Sequence, residues 1–89
     1  MSQRIQATVI HIENEQGEQP VVVLRCLAGE PISPKATVTA QAILRDQEVL
    51  IAATDRVKVL GKGKPSVVLG DTVEIRVVAE ASLPLRKNV

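Results

Sequence analysis

A chain of 89 residues has room for one domain, and its 45% apolar content is enough for one core. Eleven basic residues against ten acidic ones leave a net charge of +1, which gives no general attraction to nucleic acid or to an anionic membrane. The single cysteine, Cys26, excludes an intrachain disulfide and agrees with a reduced, cytoplasmic setting. The absence of Phe, Tyr and Trp leaves Val, Ile, Leu and Ala to build the core. Such a core suits the thin, closely packed strands of a small barrel better than large helices.

The N-terminal Met1-Ser2-Gln3-Arg4 leads straight into a polar-alternating segment, with no signal-peptide apolar region. Ile5, Ala7 and Val9 then alternate with Gln6 and Thr8, the period of a half-buried strand. At Val9-Ile10 the phase flips to Ile10 and Ile12, which predicts a bulge or bend. Glu13 to Gln19 is polar around Gly17 and reads as a hairpin loop. Val21 to Leu27 is a β-branched run suited to a strand buried on both faces. Its apolar core, Val21 to Leu24, is far shorter than the ~20 residues that span a bilayer as a helix. Ala28 to Pro34 carries one Gly and two Pro and breaks any ladder.

Ala36 to Ala42 alternates again, Arg45 to Glu48 is a polar interruption, and Val49 to Thr54 is a further apolar piece. Ser33-Pro34 also fits a helix N-cap with proline at the first helical position. A single helix over Lys35–Thr54 therefore stays open beside the two-strand reading. Against the helix stand Thr37-Val38-Thr39 as a poor opening and Gln47 inside the apolar stripe. Val57 and Val59 flank Lys58, and Gly61-Lys62-Gly63-Lys64-Pro65-Ser66 reads as a turn. Gly70-Asp71 leads into the clearest strand, Val73 to Ala79. These elements predict an all-β fold, a six-stranded closed or partly closed barrel over residues 1–81, with residues 82–89 as a flexible tail.

The chemistry-bearing residues are sparse. One histidine, His11, and one cysteine cannot make a tetrahedral zinc site without carboxylates, and neither sits in a recognisable triad pattern. Cys26 lies in the apolar run beside Arg25, which points to the opposite face, and so reads as a buried structural thiol. Glu13, Glu15 and Glu18 share one polar loop and read as solvated, without the Asx-rich spacing of a calcium loop. The Gly61–Ser66 stretch lacks the four-residue spacing of a phosphate loop. Arg56, Lys58, Lys62 and Lys64 place four bases in nine residues with no acid among them, a candidate polyanion-binding set. The chain has no aromatic platform on which bases could stack.

The order of Val21 to Leu27, then Gly29-Glu30-Pro31-Ile32 and Val38, and last Gly70-Asp71-Thr72-Val73-Glu74-Ile75 resembles the second-domain β-barrel of translation GTPases such as elongation factor Tu. The resemblance spans Ile5 to Val78. Pro31 adds a residue to the first turn, and Pro34-Lys35 replaces that family's Gly-acid pair. The resemblance implies a barrel that docks RNA or a ribosomal surface, without the GTPase domain. The expectation is a non-enzymatic binding or adaptor module, with no metal, cofactor or membrane requirement and with RNA or protein as partner. The alternative is a structural protein that self-associates or completes a larger complex.

Overall fold

Strands form where the sequence alternates. The computed structural model describes residues 2–27 and 31–78. These give β1 (Ser2–Glu13), β2 (Val21–Cys26), β3 (Thr37–Ala40), β4 (Arg45–Ala53), β5 (Arg56–Lys62) and β6 (Thr72–Val78). Every pairing is antiparallel, in the order β3-β6-β1-β2-β5-β4, and the sheet curls into a nearly closed barrel. Among the described residues there is no helix, so the two-strand reading of residues 35–54 holds. The expected tail, residues 82–89, lies outside the described residues.

The inward positions are the core: Ile5, Ala7 and Val9 from β1, Val22 and Leu24 from β2, Val57 and Val59 from β5, and Val73, Ile75 and Val77 from β6. Burying a Val, Leu or Ile side chain contributes about 1.5–3 kcal/mol. β1 is the long central strand, pairing with β6 from Ser2 to Thr8 and with β2 from Ala7 to Glu13. Between these pairings Val9 faces Leu24 and His11 faces Val23, so Ile10 is the inserted residue of a bulge. The bulge keeps Ile12 packed against the core after the phase flip.

Three boundaries differ from the sequence reading. β4 begins at Arg45 rather than Val49, β5 runs on to Lys62, and β3 is trimmed to Thr37–Ala40. The Ser33-Pro34 signal is real but brief. Ser33 accepts hydrogen bonds from Lys35 N–H through Oγ (3.2 Å) and from Ala36 N–H through its carbonyl (3.0 Å). It caps a single turn, and β3 starts one residue later.

The early start of β4 has one cause. Arg45 pairs with Lys62 and Glu48 with Leu60, so Asp46 and Gln47 together face Gly61 in a second bulge. Asp46 takes φ of 50° there. A Cβ on Gly61 would lie 2.6 Å from both the Arg45 carbonyl oxygen and Leu44 Cβ, so only glycine admits the bulge. The bulge aims the Gln47 side chain at the connection between β3 and β4. Its Oε1 accepts from Ile43 N–H (2.6 Å) and Leu44 N–H (3.2 Å). Its Nε2 donates to the carbonyls of Ala40 (3.0 Å) and Gln41 (3.2 Å). One amide thus pins the β3–β4 connection, and a backbone bond from Ile32 N–H to the Thr54 carbonyl (2.7 Å) ties the other end of the seam that no strand pairing closes.

Two glycine substitutions separate crowding from backbone strain. Gly61→Ala must displace backbone and should destabilise the fold by about 2–3 kcal/mol in urea denaturation. Gly70→Ala meets nothing within 4 Å but sits at φ of 90°, and should cost about 1 kcal/mol. Equal effects would contradict the account of the Gly61 bulge.

Candidate functional site

Strand β5 carries the predicted basic set on its outer face, because Arg56, Lys58 and Lys62 share one parity while Val57 and Val59 point inward. All of them, with Lys64 beyond the strand, are exposed. Six residues of strand set Arg56 and Lys62 roughly 20 Å apart. The barrel gives each a different neighbourhood. Arg56 pairs across the sheet with Arg25 and Ala53, and both arginines share Asp55, at 3.6 Å from Arg25 and 4.0 Å from Arg56. Lys58 stands midway, between Val23 of β2 and the exposed Leu50 of β4.

Lys62 and Lys64 belong to the opposite rim, where β1 ends, β2 and β4 begin, and β5 ends. Arg45 joins them there as the cross-strand partner of Lys62. A cleft of about 360 Å³ is lined by Lys62, Asp46 and Glu48, with Pro20, Val21 and Leu60 among its other walls. A second cleft, about 670 Å³, is lined by residues 42–47 with Lys64 and Ser66. Glu15 shares a third with Lys64. The rim is mixed in charge rather than basic: Glu13, Glu15, Glu18, Asp46 and Glu48 stand among its three cations.

An apolar feature that the sequence reading passed over lies in the connection from β5 to β6. Val68 to Asp71 make a tight turn. Asp71 N–H donates to the Val68 carbonyl (3.1 Å), and Val68 N–H donates to Asp71 Oδ2 (3.0 Å). Gly70 supplies the positive φ that the third position of a type II turn requires. Two backbone bonds of 2.9 Å, Gly70 N–H to the Val9 carbonyl and Val9 N–H to the Asp71 carbonyl, fasten the turn to β1. Val68 and Leu69 stand 61% and 63% exposed at its tip, with the bulged Ile10 on the adjoining strand 41% exposed.

The remaining candidates are plainer. His11 is exposed, 3.8 Å from Glu13 on the same outer face of β1. Glu15 and Glu18 are exposed in the β1–β2 loop. Among the described residues no group of three or more His, Cys, Asp or Glu side chains is placed to hold a metal. Nor is any helix long and apolar enough there to cross a membrane. Cys26 is half-buried against the core rather than fully enclosed. Burial, and then the negative charge of Asp55, raise its thiol pKa above the ordinary 9.0. Comparison with known proteins returned no matching family model, no matching curated protein and no matching solved structure.

Arg45, Ser66 and the Val68-Leu69 tip were not singled out from sequence. Arg45 reaches Lys62 only because the bulge shifts the β4–β5 register, and no spacing rule shows that. The tip had a readable signal: two apolar residues immediately before Gly-Asp in a turn region.

The thiol gives a direct check on this geometry. Cys26 of the native protein should react slowly with a thiol reagent at pH 8, faster as pH rises past 9, and fast at pH 8 only after unfolding. Asp55→Asn removes the charge that favours the protonated form, so native labelling at pH 8 should quicken. An unchanged or slower rate would contradict the assigned cause.

Proposed function

We propose that this chain is a non-enzymatic binding module of the adaptor kind, a rigid barrel that presents its β5–β6 turn to a protein partner. The Val68-Leu69 tip carries the reading. Two large apolar side chains are held out in water by a turn bonded to the central strand, with Ile10 alongside. Such a tip gains about 25 cal/mol for each Å² it buries, and a fixed turn loses little entropy on docking. A protein surface suits the mixed charge of the neighbouring rim better than a polyanion does, since five carboxylates interleave with its bases.

A second reading, RNA docking of a translation-linked kind, has one observation in its favour. Lys58, Lys62 and Lys64 are exposed and form no ion pair among the described residues. A track of this kind would give a salt slope that steepens as the RNA lengthens, and Lys58→Ala/Lys62→Ala would flatten it by roughly one to two units.

The protein-docking reading is tested by Val68→Ser/Leu69→Ser, which should leave stability within about 0.5 kcal/mol. Crosslinking in cell extract and sedimentation across a concentration series should show a complex, with another protein or a second copy. The complex should be lost in this variant and kept in Lys62→Ala/Lys64→Ala. A complex that survives the apolar change, or that falls only with the lysines, would overturn the reading.

A further inference from the structure

We infer that Arg45 and Lys64, with the Ser66 hydroxyl, form a notch that binds a single phosphate group. The inference holds whether or not the Val68-Leu69 tip docks a protein.

The barrel divides its basic residues by what faces them. Arg25 and Arg56 are occupied by Asp55, and Lys62 shares its cleft with two carboxylates, Asp46 and Glu48. The larger cleft is different. It holds two cations, Arg45 and Lys64, against one carboxylate, Asp46, which borders the Lys62 cleft as well; Lys64 also borders a third cleft with Glu15. Neither cation has an ion-pair partner among the described residues.

Gly63 explains how the two converge. Its φ of 82° turns the chain out of β5, and the place where a Cβ would stand lies 3.2 Å from Arg45 Nε and 3.6 Å from Nη2. The guanidinium therefore rests on bare backbone one residue before Lys64. From there its planar fork presents paired N–H donors to an oxyanion. Ser66 borders the same cleft, and its hydroxyl donates only a long bond, 3.4 Å, to the Ala42 carbonyl. Its N–H is committed to the Ile43 carbonyl (3.0 Å), which anchors the residue while the hydroxyl stays free to turn. A planar fork, a point charge and a hydroxyl match the several acceptor oxygens of a phosphate. With two cations in place, the notch fits one phosphate, not a run of them.

The source of that phosphate is a free phosphate monoester or a nucleic-acid backbone, and amide NMR titrations at low salt distinguish them. Inorganic phosphate and oligouridylates of two lengths serve as probes. The notch predicts shifts at Arg45, Lys64 and Ser66, affinity on the order of millimolar, and a log–log salt slope of about −0.7 that does not grow with length. Inorganic phosphate as tight as the oligomers points to the free source; tighter oligomers with the same slope point to the backbone. Arg45→Ala and Lys64→Ala should each weaken binding roughly tenfold, while Lys62→Ala stays within about twofold. These residues are exposed, so each variant should fold, and its amide spectrum reports this directly. Absence of shifts with inorganic phosphate would overturn the notch. So would an equal loss in Lys62→Ala, or a slope that steepens with length.

Discussion

The connection between the two ends of the sheet is pinned by one side chain. β3 and β4 are the two ends of the sheet order and do not pair with each other, and the connection between them, Ala40 to Leu44, holds backbone groups that no ladder takes up. Gln47 meets four of them at once, two N–H donors through Oε1 and two carbonyls through Nε2. A primary amide is the only neutral side-chain group that can accept and donate in this way from one position. Ile43 and Leu44, whose N–H groups it holds, are buried in the core. The seam is thus a polar clasp on the apolar interior.

The clasp depends on Gly61 and in turn shapes the rim. Without the bulge that Gly61 admits, Gln47 would alternate with Glu48 along a regular β4 and could not turn into the seam. The same bulge sets Arg45 beside Lys62 and Gly63, and it forms the wall of the cleft that Lys64 and Ser66 complete. Ser66 N–H, bound to the Ile43 carbonyl, fixes the far side of that wall. Closure of the fold and assembly of the rim are one set of interactions. A core without aromatics makes this more consequential, because no large side chain is available to hold the ends of the sheet together by area alone.

Much of the barrel was legible from alternation. Ile5 to Val9, the phase flip at Ile10 and the strand from Val73 follow directly from period two, since each has one face in the core. The bulge at Ile10 was readable because it moved apolar residues from one parity to the other. The bulge at Asp46-Gln47 was not, because it moves polar residues between polar positions and leaves no trace in hydropathy. Gln47 stood out only as a misfit in an apolar stripe. That it is a clasp depends on the three-dimensional gap it spans. The basic set shows the same limit. Four cations within nine residues look like one patch along the chain, whereas a strand extends them over roughly 20 Å and gives each a different neighbourhood.

Amide hydrogen exchange at Ile43 and Leu44 tests the clasp most directly, measured in the wild type and in Gln47→Ala alongside urea denaturation. Loss of the clasp leaves two part-buried N–H groups without their acceptor and should destabilise the fold by about 2–4 kcal/mol. Protection at these two amides should fall at least tenfold further than at Val9 or Leu24, because the seam opens before the β1–β2 ladder does. Unchanged stability with protected Ile43 and Leu44 amides in the variant would mean that the β3–β4 connection holds without Gln47, and would contradict the account.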